Sequence, residues 1–405
     1  MAPDRRGSAI FSMRYFFRAA AIAVCLYFVA FAYRIYQRKL YVWLPGYLED
    51  RMQQEAPQTK PIHLFVMFAD HFEPGTRLDR VKRWETEYPK LAGRHRDSSG
   101  RKVQHSWFYA GEQPIDKNME SLQSLVKGGN GEVELHYHHG GDTQESTEKK
   151  FSAAVKYFQT FHFLKGIDGK THFAFVHGNW GLDNSNGAET CGANRELSLL
   201  LGLGCFADYT FPSIFHDSQP RTVNKILEAH DDDRPKSYDH GTPLRVGRPI
   251  SDGALVLVEG PLLLFATLSV RKLFVGIEDG NVHLADPIDD RRVDRWVSAN
   301  VHVQGRPEWV FIKVYGHGAS TDADMQEWLG GHLERGLSYL EKHYNDGTNY
   351  VLHYVTARET YNVVRAAAAG KTGDPRDYLD WVIPPYEVSH TQTLAPASLS
   401  QSSVP

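Results

Sequence analysis

Between residues 61 and 369 the chain alternates short apolar runs with stretches of helical period. The run from Ile62 to Ala69 (IHLFVMFA) is almost continuously apolar, the pattern of a strand buried on both faces. Further strands are predicted over 103–109, 132–138, 173–177, 205–209, 255–258, 262–268, 309–315 and 351–354. Helices are predicted over 78–91, 116–127 (with Asp116 able to cap it), 148–164, 195–203, 322–344 and a last one running through Ala369. Strand and helix in alternation predict an α/β fold, with a parallel sheet or barrel. The segment 212–254, rich in Asp, Pro and His, breaks the rhythm and is expected to be a long insertion. From about Thr391 onward the chain is rich in Ser, Pro and Gln, and disorder is expected there.

Ahead of this pattern, Ala19 to Tyr33 forms fifteen residues without a charge, and Tyr15, Phe16 and Phe17 extend it across Arg18, whose stem can snorkel. The extended segment just suffices to span a bilayer, which takes about 20 residues. No small-x-small cleavage site precedes Arg34, Arg38 and Lys39, so an uncleaved single-pass anchor is expected rather than a removed signal peptide. Arg5, Arg6, Arg14 and Arg18 lie before the span, which favours a cytoplasmic N-terminus and an exported, extracytoplasmic body. A buried or surface-lying helix is the competing reading. The expected organisation is a tail over 1–14, an anchor helix over 15–38, a linker over 39–60, a catalytic body over 61–375 and a C-terminal tail over 376–405.

Composition narrows the function classes. The mean hydropathy of -0.44 excludes a polytopic membrane protein. With 45 basic and 49 acidic residues the net charge is -4, which gives no field for nucleic acid. Three cysteines make no disulfide scaffold; Cys191 and Cys205 either pair or stay as small buried hydrophobes, and there is no CxxC. Twenty histidines and 12% aromatics raise the prospect of metal chemistry or sugar stacking.

The polar residues at the ends of the apolar runs carry that prospect further. One run ends in Asp70-His71-Phe72-Glu73-Pro74, another in the stretch from His136 to Asp142, another in His177-Gly178-Asn179-Trp180 with Asp183 and Asn184 close behind, and a late one in Tyr315-Gly316-His317-Gly318. In α/β barrels chemistry sits where such strands end. His136 and His138, two apart on a strand, point to one side. Two imidazoles beside a carboxylate suit a divalent ion, zinc best of all, with Asp70 or His71 completing the set. Three ligands leave a position for water, the nucleophile of metal-assisted hydrolysis. His139 or Asp142 would be a further ligand or an outer partner. His177, Asn179, Trp180 and Asp183 read either as loop packing or as a sugar-binding group, with the indole stacking on a ring.

These segments resemble the polysaccharide deacetylase family, carbohydrate esterase family four or the NodB-homology domain, within the wider superfamily of glycoside hydrolases and deacetylases that share its barrel. Met67-Phe68-Ala69-Asp70-His71 is similar to the family's strand ending in T-F-D-D-G. Glu132-Val133-Glu134-Leu135-His136 is similar to the first half of its E-I-G-x-H-[ST]-x-x-H motif, and Ile312 to His317 to its last L-x-L-H strand. The departures are that the first motif holds one Asp, that Gly140 stands where the second histidine belongs, and that no R-x-P-Y occurs. The resemblance covers about 61–320 and implies a distorted (β/α)7 barrel, with Asp70 as catalytic base, His317 as general acid, and His71, His136 and His138 on the metal. It implies a metal-dependent hydrolase deacetylating an extracytoplasmic polysaccharide or oligosaccharide. A glycoside hydrolase using Asp70 with Asp183 or Asp142, and a non-catalytic glycan-binding component of a polysaccharide-assembly machine, are the other functions the sequence allows.

Overall fold

The computed structural model describes residues 5–269 and 272–389, and of residues 5–14 only the backbone. The tail expected from Thr391 onward lies outside the described residues, as do residues 1–4.

Helix α1 (Arg5–Gln37) contains a segment, Tyr15–Gln37, long and apolar enough to cross a membrane, as a signal sequence near an N-terminus also is. None of its most apolar window is buried against the protein. The stretch expected to be a linker is packed instead. A short turn is followed by α2 (Leu44–Gln53), and Trp43 and Tyr47 bury themselves with Ile214, Val223 and Leu262. The Trp43 indole donates to the Ile214 carbonyl at 3.0 Å. Each large aromatic removed from water is worth about 1.5–3 kcal/mol, enough to fix the exit of α1 on the body.

The body follows the predicted alternation: β1 (Ile62–Phe72), α3 (Leu78–Ala92), β2 (His105–Ala110), α4 (Asp116–Lys127), β3 (Gly131–Tyr137), α5 (Gln144–Gln159), β4 (Phe173–His177), α6 (Glu196–Leu203) and β5 (Cys205–Asp208). Next come β6 (Ile226–Ala229), β7 (Thr242–Pro243), β8 (Leu255–Val258), a hairpin of β9 (Leu263–Ala266) and β10 (Val275–Glu278), β11 (Asn281–Val282) and α7 (Asp290–Ala299). The chain closes with β12 (Trp309–Gly316), α8 (Asp322–Leu329), α9 (Gly331–His343), β13 (Tyr350–Tyr354) and α10 (Ala357–Ala368). Residues 212–254 are not a mere excursion, since they supply β6 and β7 to the sheet. The helix predicted over 322–344 is two helices, because the backbone turns extended at Gly330, the first of two adjacent residues without a side chain. The body also runs past residue 375. Tyr386 is buried and its hydroxyl donates to Glu134 at 2.9 Å.

The main sheet has the order β11-β12-β1-β2-β3-β4-β5-β8-β6-β7, and β13 pairs the first half of β1. Pairing is parallel from β11 to β8 and antiparallel only for β6 and β7. Single bridges Lys225–His302 and Arg245–Gln304 curl the far end back towards β12, where the Phe311 amide donates to the Val301 carbonyl. The continuous ladder runs from β11 to β7, and the described structure shows a large, curved, mostly parallel sheet.

Side-chain alternation sorts the sheet into two faces. Leu64, Val66, Phe68 and Phe72 of β1 join the larger core with the helices, while Phe65, Met67 and Ala69 join a second core on the concave face. The same parity puts Val133 and Leu135 of β3 against the helices and Ala174 and Val176 of β4 on the concave side.

A histidine cluster at the carboxyl ends of the strands

Parallel register brings the strand ends level. Asp70 pairs with Gly316, His71 with Phe108, Ala110 with His136, and Tyr137 with His177. The concave-face parity of β1, β3 and β12 then projects His71, His136 and His317 into one place, with His138 beside them. Ring centroids lie 5.0 Å apart for His71–His136, 4.9 Å for His71–His317 and 4.6 Å for His136–His138. All converge on Glu73, whose Oε1 is 2.8 Å from Nε2 of His136, 3.7 Å from that of His138 and 3.9 Å from that of His317. Glu73 is two residues past His71 in the first strand-end cluster, and it was the parity signal, applied one step further, that could have singled it out.

Tautomer logic shows what this arrangement needs. Nδ1 of His136 lies 3.0 Å from the Val176 carbonyl, which only accepts, so Nδ1 carries hydrogen and Nε2 presents a lone pair to the Glu73 carboxylate. Nδ1 of His138 likewise meets Glu112 Oε1 at 2.6 Å, leaving its Nε2 lone pair towards Glu73. Nε2 of His71 is buried without a hydrogen-bond partner. Lone pairs facing a carboxylate repel unless a proton or a metal ion lies between them. His71, Glu73 and His136 each offer an atom within 4.8 Å of the others, close enough to share an ion. The Glu112 carboxylate and the Val176 carbonyl behind the rings are the kind of outer partner that orients metal-bound imidazoles. Glu112 follows β2, whose end carries no histidine cluster in the sequence, and so it was not anticipated.

The electrostatics follow the same crowding. Burial pushes the Glu73 carboxyl up, but with a proton rather than an ion between it and His136 Nε2, that hydrogen bond and the charges of His136, His317 and His138 outweigh burial and hold it at about 2. Burial pulls the His138 imidazole down, and its hydrogen bond to Glu112 and the charge of Glu73 more than reverse this. His71 is held well below the usual imidazole range by burial, then by the neighbouring rings. His317 is lowered chiefly by burial. His138 and His317 keep 32% and 33% of their side chains exposed, so these two face the opening while His71 and His136 form its floor.

Asp70 is not among them. It is next to His71 on a strand, hence on the opposite face. Its carboxylate is fully buried against the helices, 3.1 Å from His105 Nε2, and accepts the Gly318 amide. A Cβ at Gly318 would collide with that carboxylate. Asp70 therefore ties down the loop that carries His317 and has no line of approach to a substrate on the concave side.

A second cluster lies behind the sheet. His139, His177, Cys191 and Glu196 are buried, and their donor atoms fall within 4.8 Å of one another, so the group could hold a metal ion. Protons satisfy much of it, although His139 Nε2 also lies 3.1 Å from Glu196 Oε1. Nδ1 of His177 accepts the amides of Asn179 and Gly181, so its Nε2–H points at His139 Nε2, 3.0 Å away. Nδ1 of His139 then faces Asp142 at 3.3 Å, and the Cys191 thiol donates to Glu196 at 3.4 Å. Burial pulls His177 down to about 3, which keeps it neutral. Cys191 and Cys205 are both free thiols.

The four residues read as sugar-binding divide accordingly. His177 belongs to the rear cluster, and Asn179 binds the carbonyls of His139 and Thr190. Asp183 is buried and accepts the Ser237 amide at 2.7 Å. Trp180 alone overlooks the cluster, 6.4 Å from the His317 ring and 5.2 Å from His216. Its φ of 49 is left-handed, a strained state for so large a residue, and its indole nitrogen is buried without a partner.

No protein-family model matches the chain, and no curated protein is significantly similar to it.

Proposed function

We propose that the protein is a metal-dependent hydrolase that removes acetyl groups from a glycan at the outer face of a membrane to which α1 anchors it, with His71, Glu73 and His136 holding a divalent ion and His138 at its edge. The observation that carries this reading is the convergence of imidazole lone pairs on one carboxylate at the carboxyl ends of parallel strands. Zinc suits two or three imidazoles and a carboxylate. A bound ion would supply Lewis-acid polarisation of the acetyl carbonyl and a nucleophilic water near neutral pH. Glu112, hydrogen-bonded to His138, would accept a proton through that imidazole, taking the part the sequence resemblance gave to Asp70. His317, at the opening and tied down through Gly318, would protonate the leaving amine or alcohol. The Trp180 face would support a sugar ring beside His317. The Asp70–Asp183 and Asp70–Asp142 pairs a glycosidase would need do not line this cluster, since Asp183 binds Ser237 and Asp142 binds Lys150 at 2.7 Å.

The test is acetate release from N-acetylglucosamine tetramer by zinc-loaded full-length protein. His317→Ala should keep the metal and lose about 100-fold or more in turnover, the usual contribution of a general acid. Full activity in that variant, or shortened chains without acetate, would refute the assignment.

A further inference from the structure

A cavity lies where α1 meets the body. Its volume is about 560 Å³, and it is walled by Phe31 and Ile35 of α1 and by Leu264 and Ile277 of the β9–β10 hairpin. That volume suits one small-molecule ligand, for which clefts of about 300–1,000 Å³ are usual. Arg34, Arg38 and Lys272 add three cationic side chains to the same wall, against the two carboxylates of Asp279 and Asp286. An apolar chamber with a net cationic collar is complementary to an amphiphile with an anionic head.

Its position relative to the membrane is set by the hairpin. The Tyr27 hydroxyl donates to the Leu273 carbonyl at 3.2 Å. Tyr27 lies ten residues inside the end of the apolar segment Tyr15–Gln37, about 15 Å along a helix rising 1.5 Å per residue. If α1 spans a bilayer, this part of the hairpin enters the acyl region beside it. Leu268, 96% exposed, and Phe274, 45% exposed, suit that place, and the long stem of Lys272 beside them lets its ammonium snorkel to the headgroups. The cavity beneath them then opens at headgroup depth.

The cavity also adjoins the histidine cluster, by two routes. Asp279 in its wall accepts the Tyr315 hydroxyl at 3.1 Å, and the Tyr315 ring lies 5.9 Å from that of His71. Phe215, also in the wall, is followed by His216, which packs on Trp180 at the opening of the cluster. One layer of side chains thus separates a lipid-type chamber from the proposed catalytic opening.

From this juxtaposition we infer that the cavity holds the phosphate and first isoprenoid or acyl carbons of a membrane-borne, phosphate-linked saccharide, and so delivers its sugar to the histidine cluster. The inference rests on the hydrolase and anchor readings above, and it replaces a free polysaccharide with a lipid-carried glycan as substrate. An anionic phospholipid of the bulk bilayer shares the same head chemistry, and the experiment separates the two sources.

The full chain is reconstituted in phosphatidylcholine nanodiscs and photolabelled with benzophenone-tagged farnesyl phosphate. Competitors are untagged farnesyl phosphate, farnesol, phosphatidylglycerol and inorganic phosphate. Lys272→Glu and the cavity-filling Val275→Trp should each weaken apparent affinity about fivefold or more, as expected for reversing a charge near an anion or occluding its site. Lys272 is exposed, so its variant tests the idea even where Val275→Trp fails to fold. Zinc content and acetate release from the soluble tetramer should stay at the unsubstituted protein's level in Lys272→Glu. Undiminished labelling in Lys272→Glu overturns the inference, as does displacement by phosphatidylglycerol or inorganic phosphate as effective as that by farnesyl phosphate. Selective, variant-sensitive labelling by a protein that neither binds zinc nor releases acetate upholds the lipid site and refutes the hydrolase reading alone.

Discussion

Two groups of buried ligands compete for any ion this protein binds, and their hydrogen bonds predict which one wins. In the front group the lone pairs of His136 and His138 face Glu73 and the His71 Nε2 has no partner, whereas in the rear group of His139, His177, Cys191 and Glu196 the His177 Nε2–H and the Cys191 thiol both find acceptors and His139 Nε2 alone meets a carboxylate, Glu196 Oε1 at 3.1 Å. His136→Ala should therefore abolish binding and Cys191→Ser should not. Structural zinc sites with four ligands bind with roughly 10–16 kcal/mol, or about 2.5–4 kcal/mol per ligand, so removing one weakens binding about 100- to 1,000-fold. The change also removes the ring that fixes Glu73 and so falls at the upper end of that range. The assay is elemental analysis of full-length protein after dialysis against a graded zinc buffer. At a free zinc level about ten times the unsubstituted dissociation constant we expect about one zinc per chain in the unsubstituted protein and in Cys191→Ser, and about a tenth of that or less in His136→Ala. Stoichiometric zinc in His136→Ala together with loss in Cys191→Ser would place the ion behind the sheet and refute the tautomer argument.

Three further outcomes are expected. Gly178→Ala should disturb the front cluster, because a Cβ there would strike the His138 ring; the expected result is a drop in turnover with little change in melting temperature, and unaltered kinetics would show that the ring yields freely. Gly318→Ala should cost about 1–3 kcal/mol by driving into the Asp70 carboxylate and Trp84, measured by urea unfolding, and should displace His317 so that kcat falls while zinc is retained. Burial pushes the Asp183 carboxyl up to about 8, so between the usual carboxylate value and about pH 8 the unfolded chain releases a proton that the folded one keeps, and stability from this group falls as pH rises. Asp183→Asn should remove up to about 1.4 kcal/mol of that loss per pH unit between pH 5 and 8; parallel stability curves for both proteins would show that the carboxyl is not held neutral.

Hydrophobic patterning made most of the fold legible. A run such as Ile62 to Ala69 has little choice but to be a doubly buried strand, and the alternation of such runs with amphipathic stretches led to a parallel α/β sheet. Period two put His136 and His138 on one side, and their rings do meet at 4.6 Å although β3 itself ends at Tyr137. The same local rule separated Asp70 from His71, a consequence that the family likeness obscured when it gave both residues a place at one site. What the pattern could not show was which strand ends lie level, because register is fixed by pairing between segments far apart in sequence, as in Asp70 with Gly316.

Residues whose partners come from other elements were therefore out of reach. Glu73 gains its meaning from rings on β1, β3 and β12, Glu112 from His138, and the packed exit of α1 from Ile214 and Leu262, more than 150 residues away. His177 looked like a site residue because its neighbours in sequence did, yet parity within β4 turned it to the rear. Sequence alone determined the elements, the apolar N-terminal segment and the abundance of histidine at strand ends, because those follow from the order of side chains along the chain. Only the tertiary structure decided which histidines meet, which carboxylate they surround and what chamber lies beside them, because a cluster is a coincidence in space of side chains that the sequence keeps apart.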